Sequence, residues 1–435
     1  GAGAGKRPVT ATVDFGLARI CFRGRVNGGV VGEKTIGYQR ILGLGGQGDD
    51  GNVSRINDCG SSLFIFLVEA GMVKKIAGNI ENMVGWTKVP LGQAGPVLIN
   101  KKEYFLPLAT TEGALVASVN RGCKATRLSG GIKAMTENVG ATRGPVFRTK
   151  GIEEAQKFKL WLEDNFVRVK TEAEATSSYL RLKKLETASC GKDVWVRFYF
   201  DTGEAMGMNM ATIATEKIAE LIEDKLKIKC LALSGNYCVD KKPSWLNFIN
   251  GRGNKVWAEA VIKREIVKEV LKTTPERIVE VVQKKQWLGS MMSGSLGANG
   301  HFANMVAAIF LATGQDMAHV AEGSLGVTTA ELVAGSIVPD LYFSVYLPDL
   351  MVGVVGGGTR LETQSQALKK LGVDKNELAE VIGGAVLAGE LSLTAALASG
   401  DLARTHVKLG RPTGSDPSGN KSPIGSDPNG ARYDK

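Results

Sequence analysis

The chain has little histidine, no paired cysteine motif and few aromatic residues, and each scarcity closes off a class of function. Only His301, His319 and His406 are histidines among 435 residues, too few for a histidine-rich metal centre. Six cysteines (Cys21, Cys59, Cys123, Cys190, Cys230 and Cys238) lie scattered with no CxxC pair. That pattern gives no metal-ligand spacing, and it reads most simply as reduced thiols in a reducing compartment. No metal site is expected. Aromatic residues make up 6% and do not interleave with a basic stripe, as a nucleic-acid surface would require. Long apolar runs are missing near the start, where the longest is Leu63–Val68, far short of the roughly 18 residues of a membrane span. Gly1–Lys6 (GAGAGK) has no apolar core of the kind a signal peptide needs. A soluble, cytoplasmic protein without a membrane segment is therefore expected.

What is present is an ordinary globular balance with an excess of positive charge. Apolar residues are 43% and charged residues 23%, which excludes a wholly disordered, collagen-like or coiled-coil chain. At roughly 150 residues per domain, the length suggests two or three domains. The net charge of +10 favours polyanionic partners, such as phosphorylated cofactors, without choosing among them.

Periodicity predicts the elements. A helix is expected over 62–80 and a strand over 105–110. A helix over 114–120 follows, opened by Thr110 or Thr111 as N-cap and stopped by Gly122. Residues 145–232 alternate as a small split α/β unit: an amphipathic helix over 152–164, strands over 179–187 and 194–200, a helix over 206–225 and a strand over 228–234. Helices are expected over 261–273 and 275–285. Residues 301–313 are apolar on every side and predict a buried helix. The apolar stretch 378–403 carries Glu380, Glu390 and Asp401, and it reads as a second buried helix rather than a membrane span. Strands are expected over 341–355. From Gly410 onward the Gly-Ser-Asp-Pro repeats predict disorder.

Several motifs invite a ligand. Gly43–Gly48 (GLGGQG) matches GxGxxG, but Asp49–Asn52 prolong the loop instead of opening a helix, so a plain glycine loop is the better reading. Ser234–Pro243 (SGNYCVDKKP) is a polar loop directly after a strand, with one acid beside two lysines. Strand ends favour sites. Glu112 stands at a strand-to-helix junction. Asp316 follows a buried helix, where its charge opposes the helix dipole. A cation must offset Asp316, or its proton affinity will rise.

Taken together these segments closely resemble the class I hydroxymethylglutaryl-coenzyme A (HMG-CoA) reductases. The matching blocks are ENMVG (81–85), GQAGP (92–96), PLATTEGALVASVNRGC (107–123), TRGP (142–145), AMGMNM (205–210), SGNYCVDKKP (234–243), NGRG (250–253), GQD (314–316), VGGGT (355–359) and LAGELSLTAA (387–396). The resemblance covers residues 79–408. It implies an α+β fold, with a large domain (81–144 and 233–410) around a long central buried helix. A small ferredoxin-like dinucleotide-binding domain (145–232) is inserted in it. Outside the resemblance, composition alone suggests a partly helical N-terminal segment (1–80) and a disordered tail (411–435).

The resemblance also implies the chemistry. Family members reduce a thioester to an alcohol in two hydride steps, consuming NADPH and releasing coenzyme A and mevalonate. Lys241 falls on the lysine that meets the developing oxyanion, and His406 on the histidine that protonates the departing thiolate. Glu112 falls on the acid that protonates the final alkoxide, and burial would help it keep its proton. Asp316 falls on the aspartate bridging that glutamate and that lysine. Arg143, Ser234, Asp240, Lys242, Lys285 and Asn304 match positions that hold the hydroxymethylglutaryl group, and Ser118, Asn120 and Arg121 match the coenzyme A side. His301 matches a histidine near the catalytic lysine. His319 has no counterpart role and reads as a surface or packing residue.

Ser177, Glu204, Met206, Gly207, Met208, Asn209, Gly356, Gly357, Gly358 and Thr359 match the cofactor-binding segments. Two departures stand out. Glu204 replaces the usual aspartate. Ser178 and Tyr179 follow Ser177 where the family often has an arginine for the cofactor 2′-phosphate, leaving Arg181 or Lys183 to substitute. Family members bind substrate at a dimer interface, so a homodimer or a tetramer of two dimers is expected. The rivals are an NAD-dependent relative that oxidises mevalonate, a nucleic-acid-binding protein suggested only by charge, and a catalytically inactive coenzyme A binder.

Overall fold

The computed structural model describes residues 80–83, 85–333 and 338–400, and the backbone of three strands near the start. The expected helix over 62–80, the glycine loop at 43–48, His406 and the C-terminal tail lie outside the described residues, save for Ile80 at the edge of that helix. The three early strands, β1 (Thr10–Asp14), β2 (Arg19–Val26) and β3 (Gly29–Gly37), pair in chain order as an antiparallel sheet within a unit of their own.

The larger unit begins with the antiparallel pair β4 (Leu91–Ile99) and β5 (Lys102–Ala109). Helix α1 (Leu115–Leu128) follows. It departs from expectation at both ends. Its N-cap is Ala114, in a left-handed conformation with no side-chain cap, so neither Thr110 nor Thr111 serves. It also runs through Gly122. A Cβ there would lie 1.9 Å from the Ala388 carbonyl oxygen. Gly122 is thus a packing glycine that lets two helices touch backbone to backbone, not a stop.

An eight-stranded sheet organises the rest. Its order is β10 (Lys229–Ala232), β7 (Val146–Arg148), β9 (Asp193–Asp201), β6 (Lys133–Arg143), β11 (Arg252–Ile262), β13 (Leu341–Leu350) and β12 (Val327–Leu332), with β8 (Arg181–Cys190) also paired to β9. Strand β6 (Lys133–Arg143) joins two regions. Residues 133–140 pair with β11 (Arg252–Ile262), and residues 141–143 pair with β9 (Asp193–Asp201). On the β11 side, β13 (Leu341–Leu350) and β12 (Val327–Leu332) complete the sheet. The helix expected over 261–273 is shorter than predicted. β-Branched Val261 and Ile262 extend β11, and only 264–269 is helical.

On the β9 side, β7 (Val146–Arg148), α2 (Ile152–Asp164), α3 (Phe166–Glu174), β8 (Arg181–Cys190), β9, α4 (Met208–Leu226) and β10 (Lys229–Ala232) follow one another. The strands lie in the order β10–β7–β9–β8, all antiparallel. Phe147, Phe158, Leu162, Phe198, Phe200, Ile218 and Ile222 are among the buried side chains that give this region its own core.

The second core surrounds two apolar helices, α5 (Phe302–Thr313) and α6 (Lys375–Ser399). By length and the mean hydropathy of 1.7 of its most apolar stretch, α6 could cross a membrane, but 83% of that stretch is buried within the protein. Small residues admit its neighbours: a Cβ on Gly383 would meet Val256, one on Gly384 would meet Ile99, and one on Gly389 would meet Met305. The buried Glu390 of α6 is satisfied by the start of α5. It accepts from the amides of Gly300 (2.8 Å) and His301 (2.6 Å) and from the Thr328 hydroxyl (2.7 Å). A carboxylate is favoured at a helix N-terminus, where free N–H groups converge.

Candidate functional site

The loop 234–244 is pinned where the two cores meet. Gly235 N–H donates to the Gly144 carbonyl (2.7 Å), and Thr142 Oγ1 donates to the Cys238 carbonyl (2.9 Å). This holds Lys241, whose φ of 59° is left-handed, with its ammonium 2.9 Å from Asp316 Oδ2. Asp316 follows α5 and caps the next turn, Oδ1 accepting from the Ala318 amide (3.0 Å). Burial alone would push the Asp316 carboxyl up. The Lys241 ammonium, the Ala318 amide and the nearby His319 outweigh it and hold the group below its usual range. The cation that Asp316 needs is therefore Lys241.

Beneath this pair lies a charged cluster that the sequence alone did not reveal. Arg252, fully buried, donates to Asp240 Oδ1 and Glu322 Oε1, both at 2.7 Å, and to Thr142 Oγ1 at 2.9 Å. Asp349 Oδ1 is 4.0 Å from the same guanidinium, and its other oxygen accepts from Asn247. Burial pushes Asp349 up to about 8. Arg252 offsets only part of this, being shared with two closer carboxylates. Arg143 reaches Asp240 at 3.7 Å and donates to Thr212 Oγ1 at 2.6 Å. Asp240, Glu322 and His319 bring three potential ligand atoms within 4.8 Å of one another. The Arg252 guanidinium already sits among them and carries the positive charge. The available signals were Arg252 inside NGRG and the His319/Glu322 spacing of three.

Other expected residues divide by place. Ser234 Oγ lies 3.5 Å from Cys238 Sγ, and Lys242 Nζ donates to the Asp240 carbonyl (3.0 Å), so both belong to the Lys241 loop. A second group gathers at the other end of α5. Asn304 contacts the His301 ring (3.2 Å), which reaches the Gly389 carbonyl (3.0 Å). Ser118 Oγ lies 2.9 Å from Ser392 Oγ, and Arg121 donates to the Ser392 carbonyl (2.6 Å). Lys285 is exposed on the widened turn 282–289, beside Gln286, which donates to Thr394 (2.9 Å). Asn120 accepts from the Gly95 amide at 3.0 Å. The twelve residues of α5 span about 18 Å between His301 and Asp316, so one chain does not unite the two groups.

Glu112 also departs from expectation. Its side chain is exposed, and only its backbone amide is bonded, to Thr110 Oγ1 (3.0 Å). Among the described residues, its carboxylate has no link to Lys241 or Asp316. The Asp316 bridge is thus made to one partner and not to both. His319 is fully buried rather than on the surface.

The segments expected to hold the cofactor come together beside Asp316. Ala205 bridges to Val355, and Val354 N–H donates to the Glu204 carbonyl (2.9 Å). Glu204 Oε2 accepts from the Lys375 amide (2.8 Å). Met208 Sδ lies 3.2 Å from Arg252, Met206 packs beside it, and Asn209 is exposed. Gln315 both donates to and accepts from the Gly353 backbone (3.0 and 2.9 Å). Gly314 and Gly358 press together: a Cβ on Gly314 would lie 2.3 Å from the Gly358 carbonyl oxygen. Gly207 and Thr359 complete the turns, Thr359 Oγ1 donating to the Gly356 carbonyl (2.6 Å). By contrast, Gly356 and Gly357 have left-handed φ and, among the described residues, nothing within 4 Å of an added Cβ. Such bare backbone admits the close approach of a dinucleotide, so the residues fit that group. Ser177 Oγ accepts from the Tyr179 amide (3.2 Å) in a turn whose Tyr179 carbonyl lies near Gly203. Arg181 and Lys183 are both exposed, Arg181 donating to the adjacent Leu180 carbonyl (2.7 Å) and Lys183 bonded to the Asn138 carbonyl.

Residues 66–411 match the family model for hydroxymethylglutaryl-coenzyme A reductase. The chain is 51% identical over 347 residues to the 3-hydroxy-3-methylglutaryl-coenzyme A reductase of Methanocaldococcus jannaschii, covering 77% of this chain and 85% of that protein. The Xenopus laevis enzyme is 45% identical over 341 residues, covering 75% of this chain and 38% of the relative. The fold is similar to a class II enzyme of Streptococcus pneumoniae bound to NADPH, with a TM-score of 0.62, 19% identity and coverage of 83% and 100%.

Proposed function

We infer, from the premise that the chain belongs to the hydroxymethylglutaryl-coenzyme A reductase family and works as an oxidoreductase of the mevalonate route to isoprenoids, that Lys241 and Asp316 form its catalytic centre. The observation that carries this is their 2.9 Å ion pair, set between the strand-end loop and the glycine-rich segment 353–359. Identity near 50% to archaeal enzymes, against 19% to the class II structure, favours class I.

NADPH, when bound along Glu204–Asn209 and Gly356–Thr359, supplies hydride to the acyl carbon. Lys241 lies partly exposed at the mouth of the loop and meets the negative charge that develops on the thioester oxygen. Asp316, ionised by its surroundings, orients that ammonium. Arg143, Ser234, Asp240 and Lys242 hold the hydroxymethylglutaryl group next to it, its carboxylate on the cations. His406 gives the departing thiolate its proton, and Glu112 gives the final alkoxide its own.

The site is completed by a second copy of the chain. Glu112 is exposed, and Lys285, Asn304, Ser118 and Arg121 sit at the far end of α5. A symmetric dimer would bring one copy's far-end group to the other's Lys241 loop. The residues 145–232 are the dinucleotide-binding domain, ferredoxin-like in strand order. The described cysteines form no disulfide, which suits a cytoplasmic site of action. HMG-CoA and coenzyme A are the partners rather than nucleic acid, and the one described helix long and apolar enough to cross a membrane, α6, is mostly buried within the protein. The test is spectrophotometric: HMG-CoA should drive NADPH oxidation, two cofactors consumed per mevalonate formed. Preference for NADH with mevalonate oxidation would favour the degradative direction instead.

A further inference from the structure

His319 is the one histidine without an assigned part, and its surroundings are unusual. The ring is fully buried. Nδ1 lies 2.5 Å from Glu322 Oε1, 3.4 Å from an Arg252 nitrogen and 3.8 Å from Asp240 Oδ1. Among the described residues, Nε2 has no hydrogen-bond partner. It faces Asp316 Oδ2 at 3.6 Å, the same oxygen that receives Lys241. The backbone agrees, since His319 N–H donates to the Asp316 carbonyl (3.0 Å).

Asp316 is therefore held from two sides. Lys241, 43% exposed, holds it from the solvent side, and the imidazole backs it from the interior. When Lys241 turns toward a developing oxyanion, Asp316 Oδ2 gives up part of its partner. His319 Nε2, buried and 3.6 Å from that oxygen, is placed to take over part of that role. Catalytic hydrogen bonds are often long before substrate binds.

Resting on the functional reading above, we propose that His319 is a positioning residue that ties the Asp316 carboxylate, and through it the Lys241 ammonium, to the buried Arg252–Glu322–Asp240 cluster. It touches neither substrate nor cofactor.

Two isosteres separate this role from plain packing. The amide of His319→Gln places a donor where Nε2 stands and reaches Asp316. The amide of His319→Asn places one where Nδ1 stands and reaches only Glu322. His319→Asn should lower kcat at least about tenfold, toward the roughly 10²-fold that an ångström of misplacement costs, with KM for HMG-CoA nearly unchanged. His319→Gln should recover most of that loss. A double-mutant cycle of His319→Asn with Asp316→Asn, read as urea midpoints without substrate, should be non-additive. Equal kcat for the two isosteres, or an additive cycle, overturns the proposal. A wild-type protein inactive on HMG-CoA but with a non-additive cycle would sink the functional reading and leave the His319–Asp316 tie standing.

Discussion

Gly314 and Gly358 touch through their backbones, and that contact sets where Asp316 begins. Gly314 ends α5 with a φ of 73°, and the point where its Cβ would stand is 2.3 Å from the Gly358 carbonyl oxygen. Gln315 then locks onto Gly353. The acid of the ion pair and the glycine-rich segment 353–359 are thus one structural piece.

Gly314→Ala should consequently cost both stability and turnover. The left-handed conformation and the overpacking together predict a loss of about 2–4 kcal/mol. Gly372→Ala is the control. It has a similar φ of 61° but nothing nearer than 3.9 Å, so it should lose only about 1 kcal/mol and keep its kcat. Chemical denaturation and steady-state assays check both.

Asp349 makes stability fall as pH rises. In the unfolded chain its carboxyl ionises near its ordinary value of 3.8, while burial keeps it protonated in the folded protein up to about 8. Between those limits the unfolded state has lost a proton that the folded state retains, so this group destabilises by up to about 1.4 kcal/mol per pH unit. The slope ends above pH 8. Asp349→Asn keeps an acceptor for Asn247 and should flatten the dependence; urea midpoints at intervals between pH 5 and 9 would reveal it.

Arg181 and Lys183 are both exposed near the Ser177 turn, but Lys183 is tied across to the Asn138 carbonyl of β6 whereas Arg181 donates only to the adjacent Leu180 carbonyl (2.7 Å). Arg181→Glu should raise KM for NADPH about tenfold or more while leaving KM for NADH within a factor of about two, as expected for loss of a charge-assisted phosphate contact. Parallel titrations of the two cofactors decide the matter.

Lys241 and Lys285 belong to opposite ends of α5 in one chain. If a dimer brings them together, Lys241→Ala and Lys285→Ala chains should each be nearly inactive alone, and should regain activity when refolded or co-expressed together. Mixed dimers would contain one site with both lysines intact.

Much of this arrangement was legible in the residues. The helix 152–164 and the buried helix after His301 came directly from periodicity, and the Asp316 charge at a helix end required a cation that Lys241 provides. Long-range closure was not legible. Nothing local to Arg252 says that Asp240 and Glu322 will converge on it, because sequence separations of 12 and 70 residues are closed only by the sheet. Gly122 misled for the opposite reason: a local breaker signal was overridden by a tertiary contact with Ala388. Helix α1 likewise starts at Ala114, without the threonine cap that local rules favour.

The ammonium of Lys241 is the centre of the account, and its removal is the most direct measurement. Single-turnover oxidation of NADPH by Lys241→Ala, with HMG-CoA saturating, should be slower by about 10²–10³-fold, the cost of deleting one oxyanion donor, while HMG-CoA still binds by calorimetry. A rate within about threefold of the unaltered protein would contradict it.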